Sequence, residues 1–187
     1  MMYYAINATI GTPPQPFIGL IALDWSVLFL PSVDCWKSPC QGHNLYNGSA
    51  SSSHIVSKDE WGVIVTNTMF RGNLSLDTLH FGGLDIKRQI FVEAQDVQSW
   101  GNLYKGYDGI IGLSIRKKNT LPNFIPSPWQ NIVDDNLLSH NIFSLILPSG
   151  PRRPDKPRQG GELTLGGISP KYADADFLTL PLSLIHI

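Results

Sequence analysis

Tyr4, Ile6, Ala8 and Ile10 alternate with Ala5, Asn7 and Thr9, the period of two that predicts a strand with one buried face. Gly11-Thr12-Pro13-Pro14-Gln15 breaks the alternation. Glycine tolerates positive φ, and two prolines fix φ and remove two amide donors, so a turn is expected there. Residues 17–23 are nearly all apolar and predict a returning strand buried on both faces. Val27-Leu28-Phe29-Leu30 is a third apolar run, closed by Pro31-Ser32. Far downstream, residues 128–138 place apolar side chains at 129, 132, 133 and 137. That spacing predicts a helix, with Ser127 as N-cap and Pro128 at the first position. Residues 143–147 and 161–168 read as two strands flanking a loop.

Composition narrows the class of protein. With 187 residues, 42% of them apolar, the chain can build one sizeable core. Seventeen glycines and fourteen prolines suit a turn-rich β architecture. A formal charge of −1 gives no electrostatic case for nucleic acid or membranes. The basic residues Arg152, Arg153, Lys156 and Arg158 are interrupted by Asp155 and prolines and read as a solvated loop. No apolar run approaches the eighteen residues that a spanning helix needs.

Candidate chemistry is sparse. His43, His54, His80, His140 and His186 are scattered, without an i, i+4 pair or a cluster at ligand spacing, and are expected to be surface or loop residues. No metal site and no cofactor are expected. The Gly-x-Ser-x-Gly elbow of serine hydrolases is absent. Asn7-Ala8-Thr9, Asn47-Gly48-Ser49 and Asn73-Leu74-Ser75 are N-glycosylation sequons.

The chain resembles the pepsin-like aspartic proteases, and the resemblance runs from Tyr3 to about Ser183. It rests on the Gly-Thr-Pro-Pro-Gln hairpin, on Pro31-Ser32, on Tyr107-Asp108-Gly109-Ile110-Ile111-Gly112-Leu113 and on the Leu165-Gly166-Gly167 strand end. Gly72-Asn73-Leu74-Ser75-Leu76-Asp77-Thr78 resembles the strand after the family's flap. The resemblance implies a mainly β fold, a pepsin-like β-barrel or sandwich lobe with short helices, one lobe of a normally bilobal protein. Residues 1–175 would form the N-terminal lobe, 176–187 would begin the interlobe strand, and a second lobe would be missing. A truncated fragment is the expectation that follows. Cys35 and Cys40 resemble the family's first disulfide loop; two free thiols or a metal pair are the alternatives, and two cysteines without a histidine cluster disfavour the metal. In the glycine motif Asp108 is not catalytic, and its expected part is that of a carboxylate satisfied by turn amides.

Laid on the family pattern without a gap, the catalytic aspartate falls on Ala22, the threonine on Leu23 and the glycine on Asp24. The family's mechanism needs two carboxylates sharing a proton, as in pepsin, one lobe supplying each. A methyl group supplies neither acid nor base. Asp24 is a weak catalytic candidate, two residues out of register and followed by Trp25, and it is expected to be a solvated loop carboxylate. The flap tyrosine position falls on Val65, in Val65-Thr66-Asn67-Thr68, and Phe29 stands where the family has a tryptophan donor. Three readings follow. One is a secreted or vacuolar pseudoprotease that binds a peptide or protein in the old cleft. Another is a fragment of an active aspartic endopeptidase using Asp24 with an aspartate of a missing lobe. The third is a truncated product without independent function.

Overall fold

The computed structural model describes residues 4–35, 38–65, 68–98, 106–115, 125–147 and 160–179. Contact clustering divides the chain into two units, Met1–Leu138 and Ser139–Ile187.

The first unit is built from β1 (Ala5–Ile10), β2 (Gln15–Ala22), β3 (Leu28–Pro31), β4 (Ile55–Val65), β5 (Thr68–Phe81), β6 (Leu84–Gln98), β7 (Gly109–Gly112) and α1 (Pro128–Asp134). The strands hydrogen-bond in the order β1-β2-β7-β3-β6-β5-β4, and β1 pairs also with β5 through Thr9↔His80 and Ile10↔Leu79. That second pairing joins β1 to β5 and closes six strands into a barrel-like ring, with β4 attached to β5 outside the ring. Closure pairs both edges of the ring strands, which an open sheet would leave free at its ends.

The opening hairpin forms as its residues dictate. β1 and β2 pair antiparallel from Ala5↔Leu20 to Ile10↔Gln15. Gly11 turns the chain at φ +91 and its amide donates to Thr78 O at 2.9 Å. In β1 the buried side chains are Ala8 and Ile10, while Ala5 and Asn7 are exposed. β2 departs from the expectation of burial on both faces. Phe17 is buried, yet Ile18 is 36% exposed, because β2 forms barrel wall between β1 and β7 and only one of its faces meets the core. The strand buried on both faces is β3. Phe29 belongs to a core with Val27, Phe70, Leu74, Val92, Ala94 and Val97. Leu28 and Leu30 point the other way by strand alternation and are also buried.

Cys35 and Cys40 form a disulfide with their Cα atoms 6.1 Å apart, which settles the choice between thiols, metal and bridge. Both cysteines are part of the same core. The loop it closes is short, so replacing both cysteines with alanine should cost only about 2 kcal/mol. Urea unfolding of the double variant against the parent measures this, and an unchanged midpoint would show the bridge to be idle.

Ser127 caps α1 by accepting from the Gln130 amide at 3.0 Å, with Pro128 at the first helical position. The helix ends at Asp134, short of the expected 138, because Asn136 adopts φ +52 and the chain leaves the helical path. In the second unit, β8 (Phe143–Ile146) and β9 (Glu162–Leu165) pair antiparallel, as their apolar runs predict. Residues 177–179 are exposed and carry no strand pairing among the described residues. The remainder of the expected strand, the basic residues from Arg152 to Arg158, and His186 lie outside the described residues.

Candidate functional site

The site begins where β2 ends. β7 lies between β2 and β3, parallel to β2 from Gly19↔Gly109 to Ala22↔Gly112 and antiparallel to β3 at Leu28↔Ile111 and Phe29↔Ile110. The loop joining β2 to β3 therefore arches over the end of β7. Three amides leaving β7 hold it. Leu113 N donates to Ala22 O at 2.8 Å, Ser114 N to Trp25 O at 3.0 Å, and Gly112 N to Val27 O at 3.2 Å. A Cβ on Gly112 would sit 2.5 Å from Trp25 O and 2.6 Å from Val27 N, so this approach requires glycine. The loop is rigidly placed, and its first side chain is the half-buried methyl of Ala22.

Asp24 is exposed, and its carboxylate has no hydrogen bond or ion pair among the described residues. Leu23 beside it is 53% exposed. Trp25 turns back onto the protein and meets Trp61 of β4 edge to face, ring centroids 6.3 Å apart. Ser26 is 2% exposed, and its hydroxyl and the Trp25 indole N–H have no hydrogen-bond partner among the described residues. Val65 is the last residue of β4, and the hairpin to β5 closes across Val65↔Thr68; Thr66 and Asn67 lie outside the described residues. Phe29 is 1% exposed and stacks edge to face on Phe70 at 4.6 Å, so a phenyl pair occupies this part of the core.

The carboxylates with dense bonding lie away from this loop. Asp108 accepts from Ile18 N at 2.8 Å, Asn44 N at 3.0 Å and Asn44 Nδ2 at 2.8 Å, with His43 Nδ1 at 3.4 Å. It is the amide acceptor expected, but its donors come from β2 and from the segment after the disulfide rather than from its own turn. Glu93 of β6 accepts from Ser32 Oγ at 2.9 Å and Ser75 Oγ at 2.7 Å and faces His54 Nε2 at 3.2 Å. Asp77 accepts from Tyr46 Oη and Ser53 Oγ, both at 2.6 Å, and from its neighbour's amide, Thr78 N, at 2.7 Å.

His43 and His54 lie in loops, within the expectation of surface or loop residues, but they are not at the surface. Their side chains are only 13% and 12% exposed, each drawn inward by a buried carboxylate. No group of three or more metal-ligating side chains occurs among the described residues. Sequence reasoning passed over Tyr46, Asp77 and Glu93. The signal for Asp77 and Glu93 was position, polar residues inside β5 and β6; Tyr46 lies in the segment between β3 and β4 and gave none.

Burial would raise the Asp77 carboxyl, but hydrogen bonds from Ser53, Tyr46, Ser51 and the Thr78 amide outweigh it and hold the group below the ordinary carboxylate range. Burial, with the Asp77 carboxylate beside it, pushes the Tyr46 phenol far above its ordinary value. Tyr46 is a neutral donor to an ionised acceptor, a pairing stronger than one between neutral groups.

A family model described as eukaryotic aspartyl protease matches residues 3–185. The chain belongs to that family. It is 34% identical over 170 residues to cathepsin D of Gallus gallus, covering 90% of this chain and 41% of that protein. It is 32% identical over 182 residues to aspartic proteinase A3 of Arabidopsis thaliana, covering 97% of this chain and 34% of that protein. A vacuolar protease A of Aspergillus fumigatus is 29% identical over 179 residues. The chain spans roughly a third to under half of the length of these relatives.

Proposed function

We propose that this chain supplies one lobe of a pepsin-family protein that binds a peptide or protein segment in the cleft without cleaving it. The observation that carries the reading is the methyl group of Ala22 at the head of the clamped loop, with Asp24 two residues later exposed and, among the described residues, unbonded. A catalytic carboxylate in this chemistry must be held in place and share a proton with a second acid. Among the described residues, nothing holds Asp24. Trp25 supports the same reading, since its ring meets Trp61 of β4 and fills space between the loop and the strand leading to Val65, the flap position. Residues 1–175 would form the lobe, and 176–187 would lead into a second. The buried disulfide and the vacuolar protease among the relatives support placement in a secreted or vacuolar compartment.

The alternative, an active endopeptidase using Asp24 with an acid from another lobe, can be tested directly. This chain is substituted for the first lobe of chicken cathepsin D, so that the relative supplies the second lobe, and haemoglobin hydrolysis is followed at acid pH with and without pepstatin. The chimera should be at least roughly a thousandfold slower than the parent, while still unfolding cooperatively on heating. Pepstatin-sensitive cleavage that vanishes in Asp24→Asn would establish Asp24 as the catalyst and end the binding-only reading.

A further inference from the structure

We propose that Asn47 is the acceptor of an N-linked glycan, and that its carboxamide is presented for this by a turn built inside the sequon itself. Asn47 Oδ1 accepts from Ser49 N at 3.1 Å and from Ser49 Oγ at 2.7 Å, both contacts solvent-exposed. Asn47 Nδ2, the atom that would carry the sugar, has no partner among the described residues. The backbone of Asn47 is fixed separately. Its amide donates to Gln15 Oε1 at 2.8 Å and its carbonyl accepts from Gln15 Nε2 at 2.9 Å. The residue is therefore anchored by its main chain while its side-chain nitrogen stays uncommitted. Gly48, the middle residue, lies against the His54 ring, where a Cβ would collide with the imidazole. Ser49 is exposed.

The bonds that shape this acceptor span two residues, so they are open to the chain before its long-range pairings exist. The other two sequons differ. Asn7 lies within β1 opposite Ile18, and Asn73 within β5 opposite Glu60 and Glu93. Neither carboxamide has a hydrogen bond among the described residues. The hydroxyl of the third sequon, on Ser75, is fully buried and donates to Glu93. Asn73 is half-buried between two neighbouring strands, so a glycan there would compete with the fold.

The transfer requires a polyprenyl-pyrophosphate-linked oligosaccharide. Asn47 Nδ2 forms a bond to the anomeric carbon, the carbon–oxygen bond to pyrophosphate breaks, the pyrophosphate leaves with the electron pair, and Nδ2 gives up one proton. The product is a bulky, hydrated surface group.

The test uses the full chain behind a secretion signal in a eukaryotic host, so that it does not depend on where the protein normally resides. N-glycans are released enzymatically in heavy-oxygen water, which marks each formerly occupied asparagine as a labelled aspartate, and the label found in a parallel incubation without the enzyme, from spontaneous deamidation of Asn47-Gly48, is subtracted. Tryptic cleavage separates residues 38–58, carrying Asn47 alone, from residues 72–87, carrying Asn73 alone. The label should be roughly tenfold more abundant on 38–58 than on 72–87. Ser49→Ala should abolish the label on 38–58, and Ser49→Thr should keep it. Total cell material is assayed with the medium, so that a variant that misfolds and is retained still reports its occupancy. An unlabelled 38–58 peptide, equal labelling of the two peptides, or a label that survives Ser49→Ala would each overturn the proposal.

Discussion

Replacing Asp77 with alanine is expected to cost about 3 kcal/mol or more of folding stability, because it strips the acceptor from three short hydrogen bonds at once. Asp77 is 1% exposed, and Tyr46, which donates to it, is 3% exposed. The phenol would be left buried without an acceptor, wedged edge to face between His54 at 5.5 Å and Phe91 at 5.0 Å. Asp77→Asn keeps the shape and loses the charge, so it should cost less than the alanine variant. The two variants also separate by pH. The folded state holds the Asp77 carboxyl below its ordinary value of 3.8. A depressed folded pKa gives stability that is complete above the unfolded value and is lost as pH falls through the folded one. Urea midpoints of the parent should therefore decline from about pH 4 downward, and the Asp77→Asn variant should show a shallower acid limb. Parallel acid limbs in the two proteins would show that Asp77 carries none of this dependence.

Gly112→Ala should be the second large effect, a loss of about 3 kcal/mol. The added methyl meets Trp25 O at 2.5 Å, Val27 N at 2.6 Å and Trp25 C at 2.7 Å, all backbone atoms of the loop that β7 clamps. A flexible side chain could swing aside; this backbone cannot without breaking Leu113–Ala22 and Ser114–Trp25 hydrogen bonds. The loss should appear in the urea midpoint together with a change in tryptophan fluorescence as Trp25 leaves Trp61. Gly106→Ala provides the comparison, since a Cβ there has nothing within 4 Å, and it should stay within about 0.5 kcal/mol of the parent. If both glycine variants unfold alike, the clamp does not set stability.

Local features were open to reading because their causes are local. Gly11 takes the positive φ that its turn requires, Ser127 caps α1 through the Gln130 amide, and Cys35 reaches Cys40 across a five-residue separation. Each depends on residues within one turn of chain. β2 was misjudged since an apolar run does not state how many of its faces a neighbour covers, and Ile18 faces outward from the barrel wall. The burial of two loop histidines was hidden for a related reason. His54 and His43 are polar in sequence, and only the arrival of Glu93 and Asp108, brought 39 and about 65 residues along the chain, makes it favourable to bury them.

By itself, the sequence determined the family, the positions of most strands, the capped helix and the disulfide spacing, and it puts an alanine at position 22, the end of β2. Those follow from short-range propensity and from residue identity. The tertiary structure decided that β7 would run between β2 and β3, that its three amides would hold the Ala22 loop, and that Asp24 would remain exposed while Asp77, Glu93 and Asp108 were enclosed. Whether a carboxylate is a solvated charge or a structural acceptor depends on donors delivered from distant strands, and no local pattern of residues contains that information.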